Sequence, residues 1–95
     1  MVIRRCFVYM VLCKDGSHYT GWTTDPTSRT KAHNDGNGAK YCRSRSPVTL
    51  VYVLECRSMN EALILEAAIK KLSPTSKRKL ASTFTTDGGH EHWRT

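Results

Sequence analysis

The sequence predicts an α+β domain, a three-stranded and mainly antiparallel sheet flanked by helices in the order ββαβαα. Three observations predict it. The stretch "FVYMVLCKDGSHYTGWT", residues 7–23, sets two apolar, β-rich runs on either side of an Asp-Gly pair, the pattern of a β-hairpin. "VTLVYVLEC", residues 48–56, is continuous enough in apolar and β-branched residues to be a third, largely buried strand. "MNEALILEAAIKKL", residues 59–72, follows a capping box made by Ser58 and Glu61 and reads as the longest helix.

The remaining elements follow in chain order. Strands are expected at about 5–13 and 17–23. In "TTDPTSRTKAHNDGNG", Asp25 is an N-cap, Pro26 takes the first helical position and "NDG" is a stop, so a short helix spans about 26–34. "DGNGAKYCRSRSP" is glycine-rich and then basic, and reads as a loop. After the third strand and the long helix, Ser73 and Pro74 start a last basic helix, "TSKRKLA". Residues 1–82 are thus expected to form one domain, and 83–95, polar and glycine-containing, a mobile tail from which Phe84 or Trp93 could dock.

Charge and cysteine usage narrow the function. Fifteen Lys and Arg against eight Asp and Glu give a net charge of +7 in 95 residues. The excess clusters: Lys40, Arg43 and Arg45 share one loop, and Lys70, Lys71, Lys77, Arg78 and Lys79 fall near the end of the fold. Clustered charge on so small a domain points to a polyanion, with nucleic acid ahead of membrane because no basic helix carries a broad bulky apolar face. No run approaches the roughly 20 apolar residues that cross a bilayer, and "MVIRRCF" lacks a secretory apolar segment, so a cytoplasmic protein with no membrane partner is expected. Four cysteines, Cys6, Cys13, Cys42 and Cys56, would then stay reduced. No C-x-x-C pair suggests zinc, and three of the four lie in strand-like runs, so they read as core residues.

A few residues do not fit a purely structural reading. Glu66 stands in a helical stripe with Met59, Ala62, Leu63 and Ile69, where a carboxylate needs a cationic partner; Lys70, four residues on, could be that partner and nothing more. Arg29 and His33 are also four apart, on one face of the short helix, where an arginine fork and an imidazole could share a phosphate. The tyrosines of the hairpin depend on its turn. A two-residue turn pairs Lys14 with Ser17 and sends Tyr9 and Tyr19 to opposite faces. A three-residue loop with Gly16 in a left-handed bulge pairs Cys13 with Ser17, sets Val11 opposite Tyr19 and brings both phenols to one face.

Together these residues resemble the GIY-YIG nuclease family, in particular its small stand-alone bacterial members. The resemblance runs from about Phe7 to Leu80. It rests on "VYMV", on "YTG" at Tyr19–Gly21, on the R-x-x-x-H of Arg29 and His33, on the loop "GAKYCRSRSPV" and on "EALILEAAIKKLS" with its glutamate. It implies hydrolysis of phosphodiester bonds in nucleic acid, with DNA as the expected partner and no obligate protein partner, using one divalent metal ion, Mg²⁺ or Mn²⁺. It further implies that Tyr9 helps deprotonate the attacking water, that Tyr19 belongs to the site's hydrogen-bond network and that Arg29 holds the scissile phosphate. His33 would be an auxiliary group and Glu66 the single metal-binding carboxylate. Lys40, Arg43, Arg45, Lys70, Lys77, Arg78 and Lys79 are the expected nucleic-acid contacts. The letters differ from the family's name, "FVY" and "YTG" standing in their places, and the asparagine that homing endonucleases carry after the metal-ligand helix has no counterpart. The alternative is a nucleic-acid-binding module of the same fold that does not cleave. If both tyrosines serve one site, the hairpin must take the bulged register.

Overall fold

The hairpin takes that register. In the computed structural model, which describes residues 5–84, β1 (Cys6–Leu12) pairs antiparallel with β2 (His18–Thr23), Val11 facing Tyr19 and Tyr9 facing Gly21. The turn closes by Cys13 N–H donating to the Ser17 carbonyl at 2.8 Å and Gly16 N–H to the Cys13 carbonyl at 2.9 Å. Gly16 has φ +87°, the left-handed conformation that lets the extra residue fit without splaying the strands. Asp15 then accepts from both the backbone N–H and the hydroxyl of Ser17.

The helices begin where local chemistry starts them. Asp25 caps α1 (Pro26–Asn34) by accepting from Ser28 N–H, and Ser58 caps α3 (Met59–Lys70) by accepting from Glu61 N–H. The expected loop at 35–47 contains one helical turn, α2 (Lys40–Arg43), whose Cys42 is fully buried. No side chain caps that turn, so burial of Cys42 rather than propensity holds it. β3 (Thr49–Cys56) joins the other edge of β1, giving the antiparallel order β2-β1-β3. α4 (Pro74–Phe84) runs past the expected end of the last helix, because the Phe84 ring is buried edge-on to Tyr52 at 6.1 Å. The rest of the expected tail, 85–95, lies outside the described residues.

Being central, β1 is buried on both faces, which explains its unbroken apolar run. Phe7, Tyr9, Val11 and Cys13 pack with Cys42, Val48, Val53 and Phe84 on one face, while Cys6, Val8 and Met10 pack with Cys56, Ala62 and Ile69 on the other. All four cysteines are free and buried, as the sequence suggested. The expected apolar stripe around Glu66 is only half so. Ala62 and Ile69 are buried, but Met59 is 52% exposed and Leu63 43%, since α3 presents a narrower face to the sheet than the residue types imply. No helix among the described residues is long and apolar enough to cross a membrane.

Gly16 has open space where a Cβ would stand, so the cost of replacing it is conformational alone. Gly16→Val should lower the unfolding free energy by about 1–2 kcal/mol and Gly16→Asn by clearly less. Urea denaturation measures both, and equal losses would show that the bulge does not depend on the left-handed backbone.

Candidate active site

The bulged register delivers Tyr9 and Tyr19 to one face of the sheet, with ring centroids 6.4 Å apart. Tyr9 is fully buried and crosses its neighbour β2 at Gly21, where a Cβ would stand 2.8 Å from the phenol oxygen. The glycine of "YTG" is therefore the slot through which Tyr9 passes. From α1, His33 enters the same space with Nε2 2.7 Å from the Tyr9 hydroxyl and its ring edge-on to Tyr19 at 5.4 Å.

The other imidazole nitrogen fixes the protons. Ala39 N–H donates to His33 Nδ1 at 3.1 Å. A backbone amide can only donate, so Nδ1 must be unprotonated, and the neutral ring carries its hydrogen on Nε2. His33 thus donates to the Tyr9 oxygen, leaving the phenolic proton free to point elsewhere. Burial, then the charge of Arg29, holds the His33 pKa below its ordinary 6.5, which keeps the ring neutral. The close approach also requires Gly38, where a Cβ would collide with the His33 ring and backbone.

α2 is held in place by contacts to the hairpin turn. Arg45 Nε binds Asp15 at 3.0 Å, its Nη1 binds the Tyr41 carbonyl at 2.9 Å, and Lys14 N–H donates to the Arg45 carbonyl at 2.8 Å. The Arg45 guanidinium lies 3.9 Å from the centre of the Tyr41 ring, whose other neighbour is Tyr19, stacked at 5.9 Å. Tyr41, Gly38 and the Ala39 amide are thus parts of the site that residue-type reasoning did not single out. Only the quoted loop "GAKYC" pointed to them, since a backbone donor leaves no side-chain signature.

Arg29, one turn before the buried His33 on α1, is itself exposed and lines a cleft of about 300 Å³ with Trp22, Thr23 and Thr24. Its charge acts on both Tyr9 and His33. Burial nevertheless wins at Tyr9: desolvation and the neighbouring Tyr19 push its pKa well above 10, against the opposing pull of Arg29. Tyr9 is a neutral phenol in the free protein.

Glu66 projects from α3 with its side chain 18% exposed and one oxygen 3.4 Å from the Lys70 ammonium. Lys70 in turn stands 6.0 Å from the centre of the Tyr19 ring. The carboxylate is oxygen-only, half-buried and loosely paired. Among the described residues no group of three His, Cys, Asp or Glu could hold a metal ion, so a zinc-type cage does not fit. A hard cation held by one carboxylate and otherwise by water and phosphate oxygens does fit Glu66.

Of the expected phosphate contacts, Lys40, Arg43, Arg78 and Lys79 are exposed and Lys77 partly so. None of these five pairs with a carboxylate among the described residues. Arg45 instead turns inward to Asp15 and Tyr41, and Lys70 to Glu66.

A family model described as the GIY-YIG catalytic domain matches residues 5–80. The chain belongs to the GIY-YIG family. It is similar to the UPF0213 protein of Desulfotalea psychrophila, 55% identical over 75 residues that cover 78% of this chain and 68% of that one. A UPF0213 protein of Clostridium perfringens is 49% identical over 77 residues, 81% and 83% of the two chains. The solution NMR structure of a UPF0213 protein from Bacillus halodurans superposes with a TM-score of 0.54 at 43% identity, covering 94% of this chain and 93% of that one. Within this GIY-YIG domain the two strings that stand for the family's name, "FVY" on β1 and "YTG" on β2, meet at one pair, Tyr9 facing Gly21.

The fixed tautomer has a consequence for stability. Unfolded, His33 takes up a proton near pH 6.5; folded, it resists, so stability is full above about 6.5 and is lost as pH falls through the depressed folded value. Urea midpoints measured from about pH 7.5 down to about 5 should fall below that point. In His33→Gln the fall should shrink without vanishing, because His18 is shifted in the same direction. An unchanged slope would mean that His33 is protonated in the fold, and nitrogen spectra showing an Nδ1–H tautomer would contradict the amide lock.

Proposed function

We propose that the protein is a metal-dependent endonuclease that hydrolyses phosphodiester bonds in DNA, with low sequence specificity or with selectivity for nucleic-acid structure. One observation carries this reading: Tyr9, Tyr19 and His33 converge on one sheet face under the charge of Arg29. Lys70, beside Tyr19, links that group to the carboxylate of Glu66.

Hydrolysis needs a placed water, stabilisation of charge on the phosphoryl oxygens and a departing alkoxide that gains a proton. Tyr9 contributes an oriented oxygen. His33 Nε2–H occupies one side of it, and its own O–H is left to hold a water or a substrate oxygen. As His33 is fixed, it cannot accept the Tyr9 proton without losing the Ala39 bond, so the pair positions rather than relays. Arg29 presents a planar fork to a phosphate, an interaction that strengthens as charge builds. Glu66 is the residue that would hold the divalent ion. When bound, such an ion supplies Lewis-acid stabilisation and a more acidic water. Lys40, Arg43, Lys77, Arg78 and Lys79 supply sequence-independent attraction for the polyanion.

The second reading, a binding module without cleavage, draws on the pairing of Glu66 with Lys70 and on the neutral state of Tyr9.

The test is a panel of labelled duplex, single-stranded and branched DNA and RNA, each with Mg²⁺, Mn²⁺ or chelator. Glu66→Gln should reduce single-turnover cleavage by at least about a hundredfold with the fold intact, and Arg29→Ala should reduce cleavage far more than binding. Wild-type cleavage undetectable on every substrate, with binding retained, would favour the second reading. Glu66→Gln cutting normally at saturating metal would leave Glu66 as a partner of Lys70 only.

A further inference from the structure

We infer that a groove on the sheet face opposite Tyr9, Tyr19 and His33 binds a nucleoside monophosphate unit, its phosphate on Arg78, Lys77 and His18 and its base against Leu12, Val51 and Ala81. The groove has a volume of about 340 Å³ and is lined by Leu12, His18, Val51, Arg78, Ala81 and Ser82. Leu12 and His18 face each other across the hairpin, one position beyond the Val11 and Tyr19 pair, so their side chains leave the sheet on the other side from Tyr9 and Tyr19. The volume lies in the range of small-ligand sites, and an aliphatic floor with cations at one edge suits a flat base carrying an anion.

Among the described residues the cationic edge has nothing to neutralise it. Arg78 binds the neutral Thr75 hydroxyl at 3.2 Å, and no carboxylate among the described residues pairs with Arg78 or Lys77. Among the described residues the charges acting on His18 are Lys77 and Arg78 of α4, while the hairpin and β3 line the groove with the uncharged Leu12, Gly16 and Val51. Burial first, then those two charges, depresses the His18 pKa. An anion held between them would relieve that repulsion, raise the His18 pKa and bind more tightly as pH falls. The choice of a nucleotide over an acidic peptide rests on the nucleic-acid reading above, but no residue of the groove belongs to the proposed cleavage chemistry.

The same chemistry could come from a free mononucleotide or from the phosphorylated end of a strand. The experiment is an NMR titration of the whole chain without metal, using deoxynucleoside 5′-monophosphate, the deoxynucleoside, inorganic phosphate, a short oligonucleotide with and without a 5′-phosphate, and an acidic peptide. The monophosphate should shift Leu12, His18, Val51 and Ala81 and raise the His18 pKa. The nucleoside and inorganic phosphate should each bind at least about tenfold more weakly. Lys77→Gln with Arg78→Gln, both at the surface, should lower affinity by about tenfold or more while the other resonances stay in place. Tighter binding of the 5′-phosphorylated oligonucleotide than of the mononucleotide would name a strand end as the source, and the reverse a free nucleotide. Shifts spread equally over Lys40 and Arg43, inorganic phosphate binding as tightly as the nucleotide, or the acidic peptide competing equally would each overturn the inference. Because no cleavage is measured, the absence of nuclease activity would leave this result standing.

Discussion

The hydrogen bond from the Ala39 amide to His33 Nδ1 is the constraint on which the rest of the site depends. It decides which nitrogen carries the imidazole proton, therefore which atom of the His33 and Tyr9 pair donates, therefore where the phenolic proton can go. It also ties three separate segments together. His33 belongs to α1, Ala39 precedes α2, and α2 is fastened to the hairpin turn by Arg45 and Asp15. Asn34, the next residue on α1, makes a two-way contact with the backbone of Val48, 2.6 Å to the N–H and 3.1 Å to the carbonyl, which anchors the far end of the same loop just before β3. A loop of this length would otherwise be free to move, and its order comes from polar contacts at both ends with Cys42 buried between them.

The buried part of the site is built from groups that stay neutral. Desolvation raises Tyr9 and lowers His33, and it pushes the Cys42 thiol up to about 11. Each shift favours the uncharged form, as burial does for acids and bases alike. Charge is kept at the rim, on Arg29, Lys70 and Glu66. A buried charge without a partner would cost several kcal/mol, roughly the stability margin of a small domain, so this division is what allows a polar cluster inside so small a core.

The fold was legible in the sequence where local chemistry decides structure. Asp25 and Ser58 cap as their types suggest, and the Asp-Gly turn left two registers of which the glycine-bulged one is observed. Reading failed where tertiary burial overrides local signals. The one-turn α2 carries no cap and looks like a basic loop, and α4 runs on to Phe84 because that ring has a buried place beside Tyr52. Met59 and Leu63 look like core residues beside Glu66, yet they lie exposed, because the rotation of α3 about its axis is set by Ala62 and Ile69. Arg45 shows the converse. Its neighbours Lys40 and Arg43 face outward as a basic loop suggests, whereas Arg45 meets Asp15, thirty residues earlier, a pairing that no spacing rule reveals.

These two kinds of legibility divide the site itself. Tyr9, Tyr19 and Gly21 are fixed by strand register, and a slip of one residue would send Tyr9 and Tyr19 to opposite faces and take Gly21 away from Tyr9. Their geometry is all-or-none, and one backbone torsion at Gly16 secures it. Arg29, Glu66 and Lys70 project from helix surfaces, where a long side chain has several rotamers and only loose partners. The 3.4 Å separation of Glu66 from Lys70 is longer than a tight charge-assisted bond, as expected of two rim groups not locked by packing. The floor of the site is therefore rigid, and its main polar atoms already have partners, while the groups at the rim keep bonding capacity for an incoming ligand. That order of rigidity follows from topology, because among the described strands β1, which carries Tyr9, is the central one with a neighbour on both sides.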